Sequence, residues 1–308
     1  MRVFVTGATG FVGSAIVKEL ISAGHRVLAL ARSDAAAKSV VAAGAKVHRG
    51  SLEDLESLCR GTAAADAVIH TAFNHDFNNY APATEADRCV IETLGRELAG
   101  SDRPLIVTSG SLIAKPEGPL ATEEDEPTPN FPRKSEKAAL PLSARGVRAS
   151  VLRLPPSVHG HGDHGFVPRL ISIAREKGVS AYIGDGLNRW PAVHRLDAAH
   201  LYRLVLENSS ARAAGIMARP IRACQLERSP GSLASLNVPV VSKSRQEAAD
   251  HFGWIALFFG MNGPASSAKT QEQLGRRPVQ PGLNRPTSTP SIISNTSRTL
   301  WLCTTSRT

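Results

Sequence analysis

The chain has few tyrosines, no paired cysteines and no long apolar run. Its three tyrosines, Tyr80, Tyr182 and Tyr202, never stand four residues before a lysine. That rules out a proton relay built on Tyr-x-x-x-Lys. The four cysteines, Cys59, Cys89, Cys224 and Cys303, are scattered. Neither a disulfide framework nor a zinc site is expected from such spacing, and a reducing, cytoplasmic setting is the default. The apolar runs fall far short of a membrane span, so no membrane is expected as a partner. Glycines interrupt "MRVFVTGATGFVGSAIV" before a signal-peptide core can form. No G-x-S-x-G elbow follows a strand, since "TSGS" lacks the spacing, which argues against a serine hydrolase.

Acids are fewer than bases, and the formal net charge is +9. A basic balance can mark a nucleic-acid partner. Here two segments carry much of it. Residues 216–235 hold three arginines against one glutamate, and residues 284–308 hold three arginines and no acid. The other bases are dispersed, so no nucleic-acid partner is expected.

What is present is a strand–turn–helix at the start. "RVFVTG" is β-rich and ends in glycine. "GSAIVKELISAG" places Ile16, Val17, Leu20 and Ile21 on one helical face, with Gly24 as the stop. Between them lies "TGATGFVG", whose Gly7, Gly10 and Gly13 are spaced three apart. Missing side chains let the backbone approach a pyrophosphate, and the helix start offers free N–H groups. A second strand, "HRVLALAR", completes the context of a dinucleotide site. That strand ends Ala31-Arg32-Ser33, without a carboxylate to receive a ribose 2′-hydroxyl. Arg32 therefore favours NADP(H) over NAD(H).

The alternation continues. "AKVHRG", "DAVIHTA", "PLIVTSGS" and "VRASVLRL" read as strands three to six, with helical patterns between. The expected fold class is α/β: a doubly wound parallel sheet of Rossmann type, with a small C-terminal substrate lobe. Residues 1–155 would form the dinucleotide domain, 156–283 the lobe mixed with late sheet elements, and 284–308 a disordered tail.

These motifs resemble the short-chain dehydrogenase/reductase superfamily, in its extended and atypical NAD-dependent epimerase/dehydratase branch. The resemblance covers roughly residues 1–215 and, more weakly, 236–283. It rests on "TGATGFVG", "DAVIHTA", "VTSGS", "LRLPPSVHG" and "WPAVHRLDAAHL". It implies that Gly7, Thr9, Gly10, Phe11, Val12, Gly13, Arg32, Ala72, Pro155, Ser157 and Val158 line the cofactor. It implies that Lys137 bonds the nicotinamide ribose, and that Ser109 or Ser111 orients the substrate oxygen. Asp87, His159, Arg189, Trp190 and His194 would face a small-molecule substrate. A homodimer through the helices beside strands four and five is also implied. The sequence departs from the pattern at one catalytic position: Arg133 stands where the family's tyrosine would be. Arginine does not cycle a proton near neutral pH, but it can polarise a carbonyl or hold an anion. His159, His161, Tyr80 or a water would then act as the acid.

The expected function is an NADP(H)-dependent oxidoreductase, or an epimerase/dehydratase-like protein, acting on a small carbonyl, hydroxyl or sugar-type compound. The alternatives are a non-catalytic NADP-binding sensor and a defective copy of such an enzyme. No metal is expected, although His159, His161 and His164 are close in sequence. The acidic loop "EEDEP", Glu123–Pro127, is expected to be solvated. "IMARPIRACQLERSPGSLAS" (216–235) and the Ser/Thr-rich tail lack periodicity, and a frame error in both is expected. Shifted frames would give a capped helix in the first segment and a globular-looking tail.

Overall fold

The computed structural model describes residues 1–208, 214–216, 238–275 and 277–283. The tail, and residues 217–235 of the irregular segment, lie outside the described residues. The elements run in chain order as β1 (Arg2–Thr6), α1 (Phe11–Ser22), β2 (Arg26–Ala31), α2 (Asp34–Ala42), β3 (Lys46–Arg49), α3 (Leu55–Ala63), β4 (Ala67–His70) and α4 (Tyr80–Leu98). Then come β5 (Pro104–Gly110), α5 (Ser135–Ala139), β6 (Arg148–Leu154), β7 (Ser157–His159), α6 (Phe166–Lys177), β8 (Ser180–Ile183), β9 (Ala192–His194) and α7 (Arg195–Glu207). The last are β10 (Ala214–Ile216), β11 (Val240–Lys243), α8 (Arg245–Phe252), α9 (Ala256–Phe259) and α10 (Ala268–Gln273).

Seven strands form one parallel sheet in the order β10-β6-β5-β4-β1-β2-β3. The order reverses direction between β1 and β4, which is where such sheets open a ligand crevice. Alternation along β1 shows why both faces need cover. Val3 and Val5 pack toward α1 and α7, whereas Phe4 packs toward α3 and α4. The first face is filled by Ile16, Val17 and Leu20 of α1 with Val205 and Leu206 of α7. The second is filled by Leu58 of α3, Ile91, Leu94 and Leu98 of α4, and Ala139 of α5. Each buried leucine or isoleucine stabilises the fold by about 2 kcal/mol.

The smaller lobe is built from α6, β8, β11, α8 and α9, with β11 pairing β8 in parallel. Its core is aromatic, and Phe77 on the loop before α4 inserts into it, stacked on Trp254 with ring centroids 4.2 Å apart. This contact ties the lobe to the sheet at the end where β4 opens.

The acidic loop is not merely solvated. The Asp125 carboxylate accepts bonds from the Thr122 and Glu117 amides and the Thr122 hydroxyl, and Glu123 accepts from the Thr270 amide and hydroxyl of α10. Its carboxylates thus accept backbone N–H groups of the loop itself and of α10.

Candidate functional site

Thr6 ends β1, and Gly7 follows with φ of 72°, a left-handed turn that costs glycine little. A Cβ at Gly7 would lie 2.6 Å from the Ala72 nitrogen, and one at Gly13 would lie 2.0 Å from the Gly7 carbonyl oxygen. These two glycines let β1, the β4 loop and α1 pack together. Gly10 differs. A Cβ there would meet only the Gly7 carbonyl, at 3.2 Å, and Gly10 is exposed together with Thr9. It also caps α1, whose first turn receives no side-chain hydrogen bond. The amides of that turn, at Phe11, Val12 and Gly13, are the donors a helix start presents to an anion. A pyrophosphate fits against Gly10, with Gly7 and Gly13 shaping the cradle from behind.

Arg32 is exposed just beyond β2, and its charge helps to hold Glu53 below the usual carboxylate range, after bonds from Ser51 and its own amide. Ser33 caps α2 and Asp34 pairs with Arg49 at 2.6 Å. At the β4 end, Ala72 is half-buried and its amide points at the Thr6 hydroxyl, 3.4 Å away.

The stretch "FPRKSEKAAL" forms a single helical turn, Ser135–Ala139, followed by a 3-10 turn through Arg145. Arg133 precedes the helix. Its guanidinium turns inward, donating to the Thr108 carbonyl at 3.1 Å and the Ser135 hydroxyl at 2.9 Å, and covering the Phe73 ring at 4.2 Å. Lys137 is exposed and donates to the Pro129 carbonyl at 2.5 Å. Of the two cations, Arg133 reaches the end of β5 and Lys137 does not.

Arg133 is held by a chain of polar groups. Its partner Ser135 donates to Asp87 at 2.5 Å, Asp87 pairs with His70 at 3.0 Å, and His70 meets the Thr6 hydroxyl at 2.7 Å. Burial pushes the Asp87 carboxyl up. Bonds from His70 and Ser135 and the Arg133 charge outweigh it and hold the group below its usual range. Asp87 is therefore not a pocket-facing substrate contact. Both oxygens are used beneath the site, and it is 5% exposed. Thr108 also bonds the fully buried Tyr202 hydroxyl at 2.7 Å. Sequence reading missed Thr6, His70, Ser135 and Tyr202 in this chain. A histidine ending a buried strand was the available signal, because a buried imidazole needs partners.

At the same strand end, the Ser109 and Ser111 hydroxyls are buried with no hydrogen-bond partner among the described residues, as is Ser157 on β7. His159 is 2% exposed, and both its ring nitrogens also lack a partner among the described residues. Burial, then the neighbouring His194, push its pKa down to about 4. His159 is thus neutral at ordinary pH. The two rings stand edge to face, 5.4 Å apart, and His194 caps α7 by accepting from the Leu196 amide. Pro155 and Val158 flank Ser157 on this side of the sheet.

The three loop histidines diverge: His164 stands against Phe11, while the His161 carbonyl accepts from Arg195. Arg195 itself lies over Phe11, 4.7 Å from the ring centre, beside the start of α1. Sequence reading passed over this cation. Trp190 is 3% exposed and donates to the Met261 carbonyl, so it belongs to the lobe's core rather than to a pocket wall. Arg189 is fixed beside it through Asn262.

The family model described as "NAD dependent epimerase/dehydratase family" matches residues 3–217. The chain belongs to that family. It is 48% identical over 282 residues to an uncharacterized protein of Schizosaccharomyces pombe, covering 91% of this chain and 95% of the relative. It is 32% identical over 192 residues to a 4-hydroxy-2-methyl-3-oxo-4-farnesyl-3,4-dihydroquinoline-1-oxide ketoreductase of Stigmatella aurantiaca, covering 58% and 56% of the two. Among solved structures, the dTDP-glucose 4,6-dehydratase DesIV of Streptomyces venezuelae, with NAD and TYD bound, superimposes with a TM-score of 0.73. That match has 20% identity and covers 92% of this chain and 93% of DesIV. This epimerase/dehydratase-family fold keeps its glycine turn and strand-end serines, and puts an arginine where a tyrosine was expected. No helix among the described residues is long and apolar enough to cross a membrane.

Proposed function

We propose that the chain binds NADP(H) and catalyses reduction of a small carbonyl compound, or the reverse oxidation. The observation that carries this reading is the pair of buried, unpartnered hydroxyls of Ser109 and Ser111 at the end of β5. Buried hydroxyls normally find partners, so a pair without them at a ligand crevice suits an incoming polar group. The exposed Gly10 beside an uncapped helix start supplies the matching cradle for a pyrophosphate. The bound dinucleotide would carry the hydride. Thr9, Phe11 and Val12 would hold its phosphates through the backbone. Arg32 would take the 2′-phosphate, and Ala72, Pro155, Ser157 and Val158 would flank the remainder. Ser109 or Ser111 would donate to the substrate oxygen, and the fixed Arg133 charge would stabilise negative charge growing there. The ketoreductase of Stigmatella aurantiaca among the relatives supports a ketone as substrate type.

The absent tyrosine at position 133 favours a second reading, a non-catalytic NADP-binding sensor. Titrating NADPH and NADH by fluorescence, then adding aldehydes, ketones and nucleotide sugars, separates the two. NADPH binding with turnover of a carbonyl is the expected result. Binding without turnover supports the sensor, and no binding of either dinucleotide overturns both.

A further inference from the structure

Arg133 stands in the place of the family's tyrosine, so the site's proton donor lies on another residue. The first residue of α4 is Tyr80, and its half-buried phenol lies near enough to Arg133 for the arginine to lower its pKa. Phe73 lies between them as a shared floor. The guanidinium covers it at 4.2 Å, and the Tyr80 ring stands at 6.0 Å from it, tilted by 63°. Phe77 stacks on the far side of Tyr80 at 5.7 Å, and Phe258 from the lobe closes its edge at 6.1 Å. The ring is therefore held between the sheet and the lobe, against the same Phe73 that Arg133 covers. Arg133 in turn touches the Thr108 carbonyl, one residue before the unpartnered Ser109 hydroxyl.

We propose that Tyr80 is the catalytic acid of this site, reaching the substrate oxygen from α4 rather than from the helix after β5. The assignment rests on the reduction reading given above. As the substrate's carbonyl carbon accepts a hydride from reduced nicotinamide, its C=O π pair moves to oxygen. That oxygen takes the phenol proton of Tyr80, and an alcohol forms. The O–H bond of Tyr80 breaks with its electron pair left on the phenolate oxygen. The Arg133 guanidinium neutralises that charge, and water returns the proton. Arginine suits this duty, because it stays charged throughout and offers a directed N–H. The chemistry expected of one tyrosine is thus split between two side chains from different elements.

Physical setting agrees with an acid rather than a base. Burial raises the Tyr80 pKa above the ordinary tyrosine range, and the neighbouring Arg133 pulls it part of the way back. Asp87 opposes Arg133 from below, and His75 stands on the same aromatic floor, 5.3 Å from Phe73. With Asp87 consumed by His70 and Ser135, Arg133 is the group that decides how readily the phenol gives up its proton.

The test uses the full chain with NADPH and two carbonyl probes, 9,10-phenanthrenequinone and ethyl acetoacetate. Tyr80→Phe keeps the ring between Phe77 and Phe258, so folding and the NADPH Kd are expected to stay within about twofold. Its kcat should fall by about 10²-fold or more, the usual loss when a positioned acid is removed. A second readout is independent of turnover. Near-ultraviolet absorbance follows phenolate formation, and only three tyrosines contribute. The step missing from Tyr80→Phe belongs to Tyr80, and Arg133→Met should move that step to higher pH. Unchanged kcat in Tyr80→Phe overturns the assignment while leaving the reduction reading intact. A Tyr80 step that ignores Arg133→Met also overturns it. A wild-type protein that binds NADPH but reduces neither probe overturns the reduction reading, and with it the acid assigned within it.

Discussion

Glu136 and Arg153 form a two-point ion pair, 2.7 Å and 2.9 Å, with each side chain 1% exposed. It joins the single-turn helix α5 to the end of β6, beside the edge strand of the sheet. Arg153 also donates to the carbonyls of Thr122 and Asp125, so the acidic loop hangs from the same guanidinium. The pair lies one residue from Lys137 in sequence, yet it serves the opposite side of the helix. The short helix is anchored by its buried acid.

Removing one partner should leave an uncompensated charge in the core. Glu136→Gln is expected to lower unfolding stability by about 3 kcal/mol, measured by urea denaturation. Replacing both partners with apolar residues, Glu136→Leu with Arg153→Met, should recover most of that loss, because no buried charge then remains. A Glu136→Gln protein as stable as wild type would show that the pair is not closed in solution.

The glycines of the turn should separate by experiment into shape and contact. Gly13→Ala forces a Cβ to within 2.0 Å of the Gly7 carbonyl, which is backbone and cannot swing aside. Its thermal midpoint should drop by several degrees, in line with a loss of at least ~1 kcal/mol. Gly10→Val meets only the Gly7 carbonyl, at 3.2 Å, so it should lose less of its midpoint than Gly13→Ala, yet lose NADPH binding by about tenfold or more. Equal effects at the two positions would contradict the division. The measurements are a melting curve and a fluorescence titration of each variant.

Much of this was legible in the sequence, and the failures share a cause. The strand–turn–helix and the parallel order follow from short-range signals: glycine spacing, a 3.6-residue period and β-rich runs. The strand-end serines could be named because they sit on a regular strand. Arg133 was located, but its direction was not, because α5 is one turn and begins two residues later. Asp87 looked like a pocket residue until His70, far away in sequence, claimed one of its oxygens. Arg153 carried the clearest unread signal, a charge inside a strand buried on both faces, which had to imply a partner acid.

Cofactor choice should rest on Arg32. Arg32→Glu is expected to weaken NADPH binding by about tenfold to a hundredfold, which is about 1.4 to 2.8 kcal/mol. NADH binding should hardly change, or improve where the new carboxylate meets the ribose 2′-hydroxyl. Titrating both reduced dinucleotides against both proteins reads this directly. An unaltered preference would move the 2′-phosphate contact to another cation.

Stability should fall on mild acidification, chiefly because of one buried ring. His159 titrates at about 4 in the folded protein against about 6.5 in an unfolded chain. The folded pKa is the lower one, so the unfolded state binds the extra proton as pH falls. The folded state is therefore favoured fully above about pH 6.5, loses ground between about 6.5 and 4, and levels off below. Between pH 7 and pH 5 the single-site loss is about 2 kcal/mol. His75, His194 and His251 are held down by burial too and act in the same direction, so total acid loss alone does not identify the group. His159→Phe isolates it, since a similar ring stays against His194 without a proton to bind. Urea unfolding of both proteins at pH 7 and pH 5 should show the variant losing less, by about 2 kcal/mol. Parallel losses would mean that His159 reaches solvent or a hydrogen-bond partner in the folded protein, and that the ring is not kept neutral by burial.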